Sequence, residues 1–137
     1  MGAALAAVIA AAALAALPRP AAAQAVAKAS YTVAQADSGY VAYERLNCGS
    51  CHGADLSGVG GPPLKGGPFA YNWDGKFTNA LINLVRMNEP SGSPGTVDEA
   101  TATLLVAYIL SMNGVAEGTE PLSMARRAVI TITPRDR

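Results

Sequence analysis

The stretch Cys48-Gly49-Ser50-Cys51-His52 is the part of the sequence that determines the expected fold. Its two thiols are separated by two residues, the spacing at which cysteines add to the two vinyl groups of one haem. The histidine that follows directly is then turned towards the iron. The stretch therefore predicts one covalently attached haem c, with Cys48 and Cys51 as attachment sites and His52 as an axial ligand.

Two other kinds of site use a pair of cysteines at this spacing: a redox-active disulfide and half of a zinc site. A zinc site requires further ligands, and the chain has two cysteines and one histidine, all inside the quoted stretch. A thioredoxin-like disulfide is expected at the start of a helix in a βαβ unit, and the surrounding pattern is helical instead. The sequence favours haem over both alternatives.

Length and composition limit the remaining possibilities. With 137 residues, half of them apolar, the chain fits one small domain after a leader. Ten basic and ten acidic residues give no net charge, which argues against nucleic acid as a partner. Because both cysteines belong to one motif, no disulfide framework stabilises the chain, and the haem is expected to supply the large apolar group at its centre.

The N-terminus has the features of an export signal. Residues 1–17 form an apolar run, mostly alanine, which Pro18-Arg19-Pro20 and a small-residue stretch follow. This run is shorter than the roughly 20 residues that a membrane-spanning helix needs. We therefore expect a signal peptide over residues 1–23, cleavage near residues 23–25, and a periplasmic protein. A retained leader is the alternative, and contact with a membrane is expected in that case alone.

The rest of the chain is expected to be all-α. We interpret it as a linker, a haem domain and a tail that packs on the domain, over residues 24–34, 35–114 and 115–137. Apolar spacing predicts a first helix over residues 38–47. Gly39 inside it indicates close approach of another backbone, since glycine costs about 1 kcal/mol relative to alanine in a helix.

The later elements are marked by breakers and caps. Glycines and prolines predict an extended loop over residues 48–69. A middle helix with Asp74 as a possible cap is expected to end near residue 87, because Pro90 disfavours helix before it. Thr96 and Glu99 have the spacing of a capping box, and the last helix they begin is expected to end at Asn113-Gly114.

Taken together, the chain resembles a single-haem class I cytochrome c, in particular the small cytochromes c associated with bacterial quinoprotein (PQQ-dependent) dehydrogenases. The resemblance runs from about residue 35 to residue 133. It implies three to four helices and loops wrapped around one covalent haem. The residues that carry it are Gly39, Tyr43, the stretch from Cys48 to Gly53, the stretch from Gly61 to Gly66, Trp73, Met87, and Ala107-Tyr108-Ile109-Leu110.

The resemblance also implies roles for single residues. Gly39 and Tyr108 are expected to meet where the first and last helices cross. The carbonyl of Pro62 is expected to accept a hydrogen bond from His52, which fixes the ring and raises its basicity towards iron. The resemblance also implies that Leu64 packs on the porphyrin and that Trp73 donates a hydrogen bond to a haem propionate.

The sixth ligand of the iron is expected to be Met87. It lies where the middle helix gives way to the next loop, the position of the axial methionine in these cytochromes, and a thioether there stabilises the reduced state. The alternative is an ordinary core methionine at the end of an amphipathic helix. Met112 is interpreted as core and Met124 as part of the tail.

These observations predict an electron carrier rather than an enzyme. From the resemblance, a quinoprotein dehydrogenase is the expected donor, and a terminal oxidase or another cytochrome is the expected acceptor. Two alternatives stay open. One is a fixed haem subunit of a membrane-bound oxidoreductase, and the other is a haem with an open site that binds small ligands.

Overall fold

The computed structural model describes residues 26–133, and within them the chain is mostly helical, which confirms the all-α expectation. The two short strands of this part of the chain pair with each other in parallel. The expected signal peptide lies outside the described residues. No helix in the described part of the chain is both long and apolar enough to cross a membrane.

The elements are β1 (Ala27–Lys28), α1 (Val33–Arg45), α2 (Gly49–His52), α3 (Gly66–Trp73), α4 (Thr78–Asn88), α5 (Glu99–Met112) and β2 (Ala128–Val129).

The first and last helices cross where Gly39 of α1 faces α5. Gly39 is buried. A Cβ atom at this position would collide with the backbone of Leu104 and would lie 2.8 Å from Cβ of Tyr108. Only glycine lets the two backbones approach so closely. The predicted close approach at Gly39 and its meeting with Tyr108 are confirmed.

The start of α1 differs from the prediction. The helix begins at Val33 rather than at residue 38. The hydroxyl of Thr32 accepts a hydrogen bond from the Gln35 N–H at 3.2 Å, and the Gln35 side chain accepts one from the Thr32 N–H at 3.2 Å. This reciprocal capping box stabilises the first turn of α1 and is visible in the sequence as Thr-x-x-Gln.

The prediction of one extended loop over residues 48–69 is wrong at both ends. The single-turn helix α2 occupies its start, and α3 occupies its end. Pro68 lies in the first turn of α3, where a missing N–H breaks no hydrogen bond within the helix. A run containing glycine and proline can therefore begin a helix, and the helix-free segment is limited to residues 53–65.

The caps of the two later helices also differ from the prediction. The Asp74 carboxylate does not cap α4 and instead accepts a hydrogen bond from the Ile132 N–H at 2.9 Å. The N-cap of α5 is Asp98 rather than Thr96, because the Asp98 carboxylate accepts the Thr101 N–H at 2.7 Å. The hydrogen bonds from Thr101 also hold the pKa of Asp98 below its ordinary value.

The central element of the core is α5. Eight of its residues are buried: Ala102, Thr103, Leu105, Val106, Ala107, Tyr108, Ile109 and Leu110. Asn113 is its C-cap, and Gly114 follows in the left-handed region at φ 74°, so the predicted end of the helix is confirmed. Met112 was expected in the core, but it is the last residue of α5 and is 39% exposed there.

The C-terminal segment returns to the N-terminal end of α1. Ile130 beside β2 is fully buried. The Tyr31 hydroxyl donates to the carbonyl of Val115 at 3.1 Å. The amide of Gln35 both donates to and accepts from the backbone of Leu122, each at 2.8 Å. These bonds tie the two ends of the described chain to each other.

Replacing Gly39 by alanine should lower the free energy of unfolding by about 1–3 kcal/mol, because the new methyl group overlaps the backbone of α5. Chemical denaturation of the haem-loaded protein measures this loss. Gly67→Ala is the matched control, since a Cβ atom at Gly67 in α3 would meet nothing within 4 Å. Equal stabilities of the two variants would contradict the close crossing.

Candidate functional site

The last turns of α1 fix the position of α2. The Tyr43 hydroxyl donates to the carbonyl of Gly53 at 2.7 Å, and the Cys48 N–H donates to the carbonyl of Tyr43 at 3.1 Å. Tyr43 is 1% exposed, and this burial raises its pKa to about 12. The hydroxyl therefore keeps its proton at neutral pH and remains a donor. Both ends of α2 are held against α1 in this way.

The glycine-rich loop after α2 folds back over Cys51. The N–H groups of Val59, Gly60 and Gly61 point at the carbonyl of Cys51, at 2.9, 3.1 and 2.8 Å. A Cβ atom at Gly61 would lie 3.1 Å from Cε1 of His52, tighter than most contacts of real Cβ atoms. Glycine therefore lets the loop backbone pass directly beside the imidazole.

The His52 ring is buried and held by one hydrogen bond. It is 7% exposed, and its Nδ1 lies 2.8 Å from the carbonyl oxygen of Pro62. Because a carbonyl oxygen accepts and cannot donate, Nδ1 carries the hydrogen. In the neutral imidazole, Nε2 then presents its lone pair to the space beyond the ring, which is the arrangement of a metal-ligating histidine.

A cavity of about 970 Å³ opens beside the His52 ring. This volume is at the upper end of the range for cofactor sites. Apolar side chains of three helices and the loop line most of it: Leu64, Phe69, Trp73, Leu81, Val85, Leu105 and Ile109. Arg45, Asn47 and Asn72 are among its polar lining residues.

The two cysteines are at the same cavity. Cys48 is half-buried, Cys51 is exposed, and both thiols are free. Burial, and secondly the negative charge of Glu89, raise the pKa of the Cys48 thiol. Two thiols, an inward-facing imidazole and an apolar cavity of this size fit a covalently attached haem. His52 would bind its iron, and Cys48 and Cys51 would hold its vinyl groups.

Of the residues predicted from the sequence to bind haem or its iron, the structure places all but one at this cavity. Cys48, Cys51, His52, Pro62, Leu64 and Trp73 line the cavity. The Trp73 ring is stacked against Phe69, with 6.4 Å between the centroids. Met87 lies in the last turn of α4, is 57% exposed, and is not among the lining residues. Its ligation therefore stays a prediction.

Glu89 is a lining residue that sequence analysis overlooked. Its Oε2 atom lies 3.9 Å from Nε2 of His52, on the cavity side of the ring. In the sequence it is the residue directly before Pro90, just after the expected end of the middle helix. No periodicity or spacing distinguishes it, because its position depends on how the segment after α4 turns back towards α2.

Asn113 was also overlooked, having been interpreted only as the end of α5. It is 6% exposed, and its Nδ2 donates to the carbonyl of Leu64 at 2.8 Å, while its Oδ1 accepts the Gly66 N–H at 3.0 Å. A third bond joins Nδ2 to the carbonyl of Ile109 at 2.8 Å. Asn113 therefore anchors the end of the loop that carries Pro62.

A family model described as cytochrome c oxidase, cbb3-type, subunit III, matches residues 34–109, more than half of the chain. The chain belongs to this cytochrome c family. It is a class I cytochrome c with a single haem, and haem c is its cofactor. The matched residues of the cytochrome extend from the start of α1 into α5 and include the cysteine–histidine stretch.

Among solved structures, the cytochrome is similar to the sulfane dehydrogenase SoxCD from Paracoccus pantotrophus, with 26% identity and a TM-score of 0.47. The match covers 74% of the cytochrome and 58% of that chain, so the cytochrome spans less than two thirds of its length. No curated protein matches the cytochrome.

Asn113→Ala should lower the free energy of unfolding by about 1–3 kcal/mol, because the part-buried carbonyl of Leu64 and the N–H of Gly66 both lose their side-chain partner. Denaturation of the haem-loaded cytochrome measures the loss. Asn88→Ala is the control, since exposed Asn88 makes one bond, to the carbonyl of Leu84 at 3.1 Å. An Asn113 variant as stable as this control would contradict the anchoring role.

Proposed function

We propose that the chain is a periplasmic electron-transfer protein that holds one haem c and carries single electrons between partner proteins. The observation that carries this proposal is the His52 imidazole. Its Nδ1 is 2.8 Å from the Pro62 carbonyl, and the ring adjoins a haem-sized cavity directly after two thiols. Haem supplies the one-electron chemistry when bound. The chain's own residues orient the ligand and surround the macrocycle with apolar groups, which restrict water at the site.

The partners in this proposal come from the resemblance to cytochromes associated with quinoprotein dehydrogenases. Such a dehydrogenase would be the donor, and a terminal oxidase or another cytochrome would be the acceptor. The proposal assigns the chain no catalysis of its own, and it requires a signal peptide that is removed on export. A fixed haem subunit of a membrane-bound oxidoreductase is the alternative if the leader is retained.

For the second axial position we propose Met87 as the ligand of the haem iron. A thioether stabilises ferrous haem and raises the reduction potential. Met87 belongs to the last turn of α4, whose residues Leu84 and Val85 line the cavity. Because Met87 itself is 57% exposed, its ligation requires the segment from Met87 to Pro90 to turn towards the iron.

Protein made in a host that matures c-type cytochromes should carry the added mass of one haem and should take up and release one electron reversibly. The double variant Cys48→Ala/Cys51→Ala should lose the covalent haem, because no thioether can form. Mass spectrometry under denaturing conditions reads out the attachment. Ser50→Ala, inside the same stretch, should retain the full mass. A wild-type chain without added mass would refute the proposed function.

Met87→Ala should let the ferrous protein bind carbon monoxide, because the sixth position loses its sulfur ligand. The wild-type ferrous protein should bind little, and the absorption spectrum under carbon monoxide measures the difference. Met112→Ala is the control, since Met112 is 39% exposed at the end of α5. If the wild-type protein binds carbon monoxide as readily as the Met87 variant, Met87 is not the ligand.

A further inference from the structure

The backbone of Leu64 is held on both sides by groups from the interior of the protein. Its N–H donates to the carbonyl of Leu56, a fully buried residue, at 2.8 Å. Its carbonyl accepts a hydrogen bond from Nδ2 of Asn113 at 2.8 Å, and Oδ1 of the same side chain accepts the Gly66 N–H at 3.0 Å. Because Asn113 is itself 6% exposed and bonded to α5, this segment has a fixed position relative to the last helix.

Two prolines connect this fixed segment to the histidine ligand. The carbonyl that accepts from His52 belongs to the planar peptide group between Pro62 and Pro63. The ring of Pro63 fixes its φ, and a residue that precedes a proline is restricted to extended backbone. The link between the carbonyl and Leu64 is therefore short and stiff. A displacement of the Leu64 backbone would move the carbonyl away from the imidazole instead of being absorbed between them.

A second contact closes the same loop from outside. Nζ of Lys65 lies 2.8 Å from Oδ2 of Asp55. This ion pair is exposed to solvent, which weakens the attraction and leaves both side chains free to move. The buried amide of Asn113, which has a fixed geometry and three hydrogen bonds, is thus the stronger anchor of the loop.

We infer that Asn113 is a positioning residue for the iron ligand and thereby sets the reduction potential. It holds the Pro62 carbonyl at hydrogen-bond distance from Nδ1 of His52, although Asn113 itself does not line the cavity. This inference rests on the proposed function, because a reduction potential requires the haem. A strong bond at Nδ1 makes Nε2 a better electron-pair donor, which favours the more highly charged, oxidised iron. Loss of the anchor weakens that bond and favours the reduced iron.

The variant Asn113→Ala, loaded with haem, tests the inference by two measurements. The ratio of reduced to oxidised protein at a fixed applied potential should rise, by less than the roughly tenfold effect that loss of a direct partner has on a metal site. Nuclear magnetic resonance of the ferrous protein should show faster exchange of the His52 Nδ1 hydrogen with solvent, because its acceptor is held less firmly.

Gln35→Ala is the matched control for a loss of stability alone. The Gln35 amide also makes three hydrogen bonds to backbone groups, one with Thr32 and two with Leu122, and it does not line the cavity. Its removal should destabilise the protein by a similar amount. Both the potential and the exchange rate of the His52 hydrogen should keep their wild-type values.

Pro63→Ala tests the stiff link and carries the experiment if Asn113→Ala does not fold. It keeps every bond of Asn113 but frees the backbone between Leu64 and the Pro62 carbonyl, so both readouts should change in the same direction. Haem-loaded Asn113→Ala that matches the Gln35 control, or Pro63→Ala that matches the wild type, would overturn the inference and leave the electron-carrier proposal intact. A wild-type chain that attaches no haem would instead refute the proposed function.

Discussion

The hydrogen bond from Nδ1 of His52 to the carbonyl of Pro62 is the constraint on which the rest of the site depends. It sets the hydrogen on one ring nitrogen and directs the other nitrogen into the cavity. The carbonyl can be in place only if the loop returns to the ring, and Gly61 permits this because a side chain there would crowd the imidazole. Asn113 then fixes the far end of that loop to the last helix. A single acceptor atom is thus positioned by contacts from two distant parts of the chain.

The helix α5 connects this site to the core. Its Tyr108 packs at the crossing with Gly39 of α1, while Leu105 and Ile109 line the cavity. The same helix ends at Asn113, which holds the loop. Movement at the α1 crossing would therefore be transmitted to the cavity wall and to the loop together. This arrangement explains how a small domain positions the walls of a cavity of about 970 Å³ beside one histidine.

Sequence patterns correctly predict the parts of the structure that depend on neighbouring residues. The cysteine–histidine stretch, the helical spacing and the need for glycine at position 39 each follow from a few neighbouring residues. Errors arose where a local rule had two outcomes. The glycines and prolines of residues 48–69 predict a loop, although Pro68 is tolerated in the first turn of α3. Thr96 and Asp98 are both suitable N-caps for α5, and the structure uses Asp98.

The residues that sequence reasoning overlooked have roles that come from tertiary contacts. Asn113 before glycine reads as a helix end, and its bonds to Leu64 and Gly66 depend on how a loop almost fifty positions earlier folds back. Glu89 before proline likewise indicates only a helix end, and its position 3.9 Å from Nε2 of His52 depends on the turn of the segment after α4. Neither position carries a spacing that single-sequence reasoning can use, because the partner atoms are distant in the chain.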